Sequence, residues 1–366
     1  MRMWGSIWAA GICIVAAIAG CDRGATAETP IQQVDTAEAH TGAAERPTAA
    51  AKSKAEIEHE GLLIGEYRLA EYPVVDGDTI RVEGVDGSIR LLSIDTEEKM
   101  RGKADRAAVA KDFDQYLKRK RGDATRPQKA GTPMGDRATE FAEAFFAGAD
   151  VVRLERDDPK DIRGHYGRLL AYAFVKKNGR WTSYNVECVR AGMSPYFTKY
   201  GYSHRFHNQL AHAEAEARQS QRGIWDPKAQ GYGDYDERKA WWNARADFIR
   251  AFEHEANRRD DYIQLAYWDA PAKLEEKLGQ EVTVLSTVDK IKHFKSLVRV
   301  SLARRRDKGL PVIFFDRDVF RESGIGRYER EPVTVRGPVE RYEKGDYRTL
   351  QIVVREPAQV TLPELP

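Results

Sequence analysis

From Leu62 onward, short segments in which apolar and polar residues alternate dominate the sequence. A period of two is typical of strands that bury one face. The segments with this pattern are 67–75, 79–85, 88–94, 151–155 and 168–175. Asp86-Gly87 lies between the second and third of them and is a strong hairpin signal. The pattern predicts five strands of one small β domain.

Helical spacing interrupts and follows these strands. Residues 135–146, 183–192 and 204–222 carry apolar residues at helical intervals. We expect Ser183 to cap the second helix and Gly223 to end the third. Five strands with one helix between them and two after them predict a small closed barrel with helical cover, the oligonucleotide-binding (OB) architecture.

Four short polar motifs lie at the ends of these segments. They are Asp-Gly-Asp-Thr at 76–79, Arg90, Asp-Thr-Glu-Glu at 95–98 and His-Tyr-Gly-Arg at 165–168. Taken singly, Asp76 and Asp78 read as turn formers, and Arg90 and Arg168 as surface ion-pair residues. Asp95 alone could end a strand, and Glu98 alone could start a helix. Together they offer hard oxygen ligands for a cation and planar donors for phosphate oxygens. Cleavage of a phosphodiester needs both, together with an activated water.

In this order the motifs resemble those of the staphylococcal (micrococcal) nuclease family over residues 66–226. The shared features are the Arg-Leu-Leu strand at 90–92, the five-residue step from Arg90 to Asp95, the three-residue step to Glu98, the Tyr-Gly-Arg before a strand, and the Gly-Ile-Trp at 223–225. The resemblance implies a calcium-dependent endonuclease that hydrolyses DNA and RNA to products ending in 3′-phosphate.

The resemblance also implies a role for each matching residue. Asp78 and Asp95 would be direct calcium ligands, helped by the carbonyl of Thr96. Glu98 would orient or deprotonate the attacking water, and Arg90 and Arg168 would bind phosphate oxygens. The candidates for substrate binding are Tyr166, His165, Tyr196 and Tyr200, the last two with a looser match.

Two positions depart from the family pattern. Glu97 replaces the usual proline, so we expect a freer backbone and a second carboxylate that weakens or redistributes metal binding. His165 stands where the best-known member has lysine, which predicts a phosphate contact that depends on pH.

A basic insertion follows Glu98. Residues 99–133 contain 11 Lys plus Arg and 4 Asp, and 107–120 are expected to form a helix. Because it emerges beside the predicted site, we interpret it as a phosphate-binding arm. A solvated loop with no role is the alternative.

The second half predicts a helical linker and another β domain. Residues 237–258 and 262–278 read as helices, and strands follow at 281–288, 297–302, 312–315, 332–339 and 347–354. With a short helix near 319–324, this order resembles a second, smaller OB-like barrel. Residues 280–366 hold 17 basic and 13 acidic groups among aromatic residues, a pattern that suits single-stranded nucleic acid. The aromatic residues equally fit a core.

The N-terminus predicts export and an anchor. One arginine, an apolar run from residue 7 to 19 and Ile-Ala-Gly-Cys at 18–21 resemble a lipoprotein signal that lipidates Cys21 in a bacterial cell envelope, outside the cytoplasm. An ordinary signal peptide is the alternative. Residues 22–60 have 8 acidic and 4 basic groups and few large apolar residues, which indicates a disordered tether.

Composition sets the remaining limits. With 42% hydrophobic and 32% charged residues the chain can build a core, and its three cysteines exclude a disulfide scaffold. Cys188 reads as a small buried residue rather than a nucleophile. The expected domains are 1–20, 21–61, 62–228, 229–279 and 280–366. The competing function is a non-catalytic nucleic-acid receptor or interaction module on a decayed nuclease fold.

Overall fold

The structure, a computed structural model, describes residues 62–159, 164, 167–303 and 309–366. All of them belong to one compact unit. The predicted signal, Cys21 and the tether lie outside the described residues, as do His165 and Tyr166. None of the helices in the described ranges has the length and apolar character that a membrane crossing requires.

Runs of strands are followed by runs of helices in the first half of the described chain, and strands predominate in the second half. The strands are β1 (Leu63–Tyr67), β2 (Leu69–Asp76), β3 (Thr79–Val82), β4 (Ile89–Leu91), β5 (Val152–Glu155), β6 (Leu169–Lys177), β7 (Arg180–Ser183), β8 (Tyr262–Gln264), β9 (Glu281–His293), β10 (Val298–Leu302), β11 (Leu310–Phe314), β12 (Pro332–Lys344), β13 (Tyr347–Val354) and β14 (Val360–Thr361). The helices are α1 (Lys103–Lys111), α2 (Phe113–Arg121), α3 (Pro133–Phe146), α4 (Tyr184–Arg190), α5 (His207–Gln219), α6 (Tyr235–Ala256), α7 (Ala270–Glu276) and α8 (Arg317–Glu322).

The first sheet pairs in the order β1-β5-β6-β4-β3-β2, with β7 added to β6. Only Arg68 separates β1 from β2, so the two ends of this path meet along the chain. Strands β4 and β6 are parallel, with Arg90 opposite Leu170, whereas β3 and β4 are antiparallel, with Thr79 opposite Arg90. The expectation of a β-rich domain with helices is confirmed, and its pairing places Arg90 at the centre of the sheet.

Helix α3 packs against this sheet and carries the loop that follows β4. The Thr132 hydroxyl caps the helix by accepting the Gly135 N–H at 3.0 Å. A Cβ at Gly135 would lie 2.0 Å from the carbonyl oxygen of Glu98, so only glycine permits this approach. Rings of Phe145 and Tyr184 meet edge to face at 5.0 Å, which joins α3 to α4. The 93–98 loop is therefore seated on a packed helix.

The second sheet contains β8 to β14. The pairing runs β9-β10-β11-β13-β12 and returns from β12 to β9, with β11 and β13 parallel. Helix α8 lies between β11 and β12, as expected. Nineteen mainly aliphatic side chains of these strands and their flanking helices form a separate buried cluster.

Two predicted helices differ in the structure. The insertion forms two helices rather than one, because Asp112 is extended and its carboxylate accepts the Gln115 N–H at 2.9 Å, which starts α2. The segment 262–278 is helical only in α7. Tyr262–Gln264 forms β8 beside β9, with Ile263 buried, and three residues are too few for a strand period to be read.

Helix α6, within the predicted helical linker, buries one face and leaves the other exposed. Trp242 meets Phe197 edge to face at 4.8 Å. The Arg245 guanidinium, 1% exposed, pairs with Glu331 next to β12, and its Nε donates to the Lys199 carbonyl at 2.9 Å. Helix α6 thus contacts both halves of the described chain.

His204, in the loop before α5, joins α6 to the loop that follows β5. Its Nε2 lies 3.3 Å from the Glu253 carboxylate, and its Nδ1 lies 3.8 Å from both Asp157 and Asp158. An adjoining cavity of about 280 Å³ is lined also by Lys273 of α7. The hydrogen bond to Glu253 raises the pKa of His204 to about 9, although partial burial opposes this. We therefore expect a protonated imidazole at neutral pH.

This raised pKa predicts a stability that depends on pH. Because the folded pKa of about 9 exceeds the unfolded value near 6.5, the stabilisation is full below pH 6.5 and is lost as the pH rises through 9. We expect the melting temperature to fall between pH 7 and pH 9.5 by more in the wild type than in His204→Gln. An equal fall of the melting temperature in both proteins between pH 7 and pH 9.5 would contradict the raised pKa of His204.

Candidate active site

Two buried carboxylates meet at the guanidinium of Arg90. Nη1 pairs with Asp78, and Nη2 pairs with Asp95 and donates to the Ile94 carbonyl at 3.0 Å. Asp78 is 5% and Asp95 9% exposed. The fold therefore brings together the predicted residues Asp78, Arg90 and Asp95, and both carboxylates contact the same guanidinium.

Short-range bonds fix the two loops that supply these carboxylates. A Cβ at Gly77 would lie 2.8 Å from both Ala138 and Thr96, so the turn needs glycine to approach α3. The Thr96 N–H donates to Asp78 Oδ2 at 3.1 Å, and the Asp95 N–H donates to the Ser194 hydroxyl at 2.8 Å. The loop after β4 is thus tied to the β2–β3 turn.

Glu98 lies at the open edge of this cluster, and its side chain is 37% exposed. Lys129, from the basic insertion, places its Nζ 2.8 Å from Asp95 Oδ1 and 3.4 Å from Glu98 Oε1. Burial disfavours the Asp95 carboxylate, but Lys129 and then Arg90 outweigh it and lower its pKa. Desolvation likewise opposes the charge of Lys129, yet Asp95 raises the pKa of the ammonium. Both groups are charged at neutral pH.

Glu97 does not free the loop, and this expectation is wrong. Its carboxylate is 1% exposed and accepts hydrogen bonds from the Tyr232 N–H at 2.6 Å, the Tyr235 hydroxyl at 2.8 Å and the Thr132 hydroxyl. Burial raises the pKa of Glu97 to about 7, against the effect of these donors. The residue that replaces proline therefore anchors the loop to α3 and to the start of α6.

The remaining predicted residues are placed differently from one another. Arg168 directly precedes β6, whose first residue, Leu169, pairs with Ile89 of β4. Among the described residues, no contact links the Arg168 side chain to the carboxylates of Asp78 and Asp95. Tyr200 is 71% exposed, and its contact with substrate stays a prediction. Tyr196 is 2% exposed, with its hydroxyl bonded by the Ser203 N–H at 2.8 Å, so burial argues against its predicted contact with substrate. His165 and Tyr166 lie outside the described residues.

Two further side chains at the site were missed from the sequence. Lys129 was counted only as part of the charge of the insertion. Lys199 lies between charged groups: burial and Arg245 lower its pKa to about 8, whereas Asp95 and Glu331 oppose this. The sequence places Lys199 near the aromatic residues Phe197 and Tyr200, which is the one signal that could have marked it as a site residue. This pattern does not show that Asp95 lies nearby.

The insertion is folded and uses part of its charge internally. Arg121 makes two bonds of 2.7 Å to Glu237 of α6, Arg106 lies 3.0 Å from Asp136, and Lys120 lies 3.1 Å from Asp105. Among the described residues, exposed cations without an ion pair include Lys111, Lys118 and Arg119. The phosphate-binding arm remains a prediction.

Asp78 and Asp95, which meet at Arg90, are the candidate ligands for a metal ion. Within the described ranges, no group of three or more His, Cys, Asp or Glu side chains is arranged to hold one. The two carboxylates nevertheless share one positive charge, that of the guanidinium. A hard divalent cation accepts two carboxylates when carbonyl and water oxygens complete its shell, so the chemistry of Asp78 and Asp95 fits such an ion.

Cys188 is confirmed as a buried residue. It is a free thiol without solvent exposure, and burial raises its pKa to about 12. A thiol with this pKa is not a nucleophile at neutral pH.

Comparisons with known proteins agree with the motifs. Residues 88–227 match the family described as "Staphylococcal nuclease homologue", a range that contains Arg90, Asp95, Glu98 and Arg168 but begins after Asp78. The chain is also similar to "Uncharacterized protein MJ1439" of Methanocaldococcus jannaschii, with 29% identity over 157 residues that cover 42% of this chain and 69% of that protein. The region around the site is thus staphylococcal-nuclease-like.

The anchoring of Glu97 predicts a large effect on stability. In Glu97→Ala three buried donors lose their acceptor, and each costs about 1–3 kcal/mol, so we expect a loss of roughly 3 kcal/mol or more. Glu97→Gln keeps one acceptor and should lose less. Denaturant unfolding measures both, with Glu143→Ala on the exposed face of α3 as the control. Equal free energies of unfolding for Glu97→Ala and the control would contradict the role of Glu97.

Proposed function

We propose that the chain is a metal-dependent nuclease that hydrolyses phosphodiester bonds of DNA and RNA, with calcium as its ion. The observation that carries the proposal is that the buried carboxylates of Asp78 and Asp95 converge on the guanidinium of Arg90, with Glu98 at the open edge. The similarity of residues 88–227 to a nuclease family supports the same activity. Products ending in 3′-phosphate follow from that family's chemistry.

Each side chain would do one part of the work. Calcium held by Asp78 and Asp95 would supply positive charge beside the phosphoryl oxygens. Glu98 is exposed enough to receive a water and take its proton. Arg90 and Arg168 would donate to the phosphoryl oxygens as negative charge grows there. Thr96 would add its carbonyl oxygen to the ion.

The setting of this activity is a further part of the proposal. Cys21 would attach the chain through lipid to a bacterial membrane, on the side away from the cytoplasm. The second sheet would hold substrate as an OB-like module. Exposed Phe294, Phe315 and Tyr347, which are 46%, 61% and 49% accessible, support stacking against bases.

A non-catalytic nucleic-acid receptor is the second candidate. The pairing of Asp95 with both Arg90 and Lys129 favours it, because these cations already neutralise the carboxylates. Such a protein would bind nucleic acid with or without calcium and would not cleave it.

Plasmid digestion distinguishes the two functions. We expect cleavage by the wild type in calcium and none in chelator. Glu98→Gln should lower the cleavage rate by about 10²-fold or more and leave DNA binding in chelator within twofold, because it removes a proton acceptor. Glu143→Gln, exposed on α3, should cleave like the wild type. Absence of calcium-dependent cleavage by the wild type would refute the enzyme.

A further inference from the structure

We propose that Lys129, which the basic insertion supplies, binds a phosphate of the nucleic-acid substrate beside the acidic site. The inference deepens the proposed function and rests on a nucleic-acid substrate. The overall charge of the insertion does not show which of its residues contacts phosphate, whereas this inference names Lys129.

The backbone around Lys129 is held by the segment that follows the nuclease-like range. The Tyr232 hydroxyl accepts the Ala130 N–H at 2.8 Å and donates to the Ala130 carbonyl at 2.7 Å. Arg238 of α6 donates to the Gln128 carbonyl at 2.6 Å. The residues on both sides of Lys129 are therefore fixed by hydrogen bonds to one structural segment.

The insertion fixes the same stretch from its own side. The Tyr116 hydroxyl of α2 donates to the Gly131 carbonyl at 2.8 Å, and its ring is buried. Thr132 follows, with its hydroxyl on Glu97. A stretch held at four consecutive or near-consecutive positions has little freedom left, so the position of Lys129 is preorganised rather than a chance surface contact.

The ammonium is only partly used by its protein partners. It has three donors and faces two carboxylate oxygens, those of Asp95 and Glu98, while its side chain remains 44% exposed. The Nζ of Lys129 lies 3.4 Å from Glu98, where the proposed reaction takes place, so a phosphate of the substrate would come within its reach.

Of the two cations that pair with the carboxylates of the site, Lys129 is the more exposed. The side chain of Arg90 is 16% exposed, whereas that of Lys129 is 44% exposed. A phosphate of the substrate therefore reaches Lys129 more readily than Arg90, whether or not a divalent ion is present.

The test measures how the full chain binds a short DNA duplex in chelator as salt concentration increases. Removing one phosphate contact lowers the magnitude of the slope of log K against log salt by about 0.9. We expect this change in Lys129→Met, with a roughly tenfold loss of affinity at low salt. Lys129→Arg should keep the wild-type slope.

A matched lysine provides the control. Lys177 ends β6, seven residues beyond the Leu170 that pairs with Arg90, which is about 23 Å along the strand. Lys177→Met should leave the slope and the affinity unchanged. Melting temperatures show that each variant is folded, and Lys129→Gln provides a second substitution at the same exposed position.

The outcomes separate this inference from the proposed function. An unchanged slope in both Lys129→Met and Lys129→Gln, or tighter binding, would show that Lys129 is only an internal counter-ion and overturn the inference. Because binding is measured in chelator, the result does not depend on cleavage. A reduced slope in a protein that never cleaves DNA would support the phosphate contact and refute the nuclease.

Discussion

The site depends on the sharing of one guanidinium by two buried carboxylates. Two carboxylates at such close range and low exposure repel each other unless opposite charge lies beside them. Lys129 and Arg90 supply it at Asp95, and Arg90 bridges Asp95 to Asp78 because β4 lies in the middle of its sheet, antiparallel to β3 and parallel to β6. The strand order therefore determines the electrostatics: the β3 neighbour brings the Asp78 turn, and the end of β4 itself leads to Asp95.

The loop that follows β4 carries side chains in two directions, and this explains how the site extends beyond the nuclease-like range. Asp95 and Glu98 face the cations, whereas Glu97 is buried against Tyr232 and Tyr235. Since Tyr232 also holds the backbone beside Lys129, one tyrosine joins the anchor of the loop to the cation of the insertion. Residues after 227 are structural parts of the site, although the family match ends there.

The sequence predicted what is local and missed what is distant. The spacing from Arg90 to Asp95 and Glu98 reflects a single strand and its loop, so the motif could be read directly. Two of the three partners of Glu97, Tyr232 and Tyr235, lie 135 and 138 residues away, and no local pattern connects them to it. Tyr196 is different, because its partners Ser203 and His207 are only 7 and 11 residues away, but they follow an irregular loop whose path no periodic pattern predicts. Family resemblance did not help at Glu97, because a proline has no carboxylate to be bonded.

The buried ion pair of Arg245 and Glu331 fixes the position of the second sheet and adds little to the free energy of unfolding. Desolvation of two charges offsets most of their attraction, so such pairs contribute little net stability, but the loss of either partner leaves a buried charge. Glu331 also accepts the Trp241 indole N–H at 3.0 Å, and Arg245 holds the Lys199 carbonyl. Lys199 in turn lies within the field of Asp95. The second sheet is therefore held at a defined place relative to the acidic site.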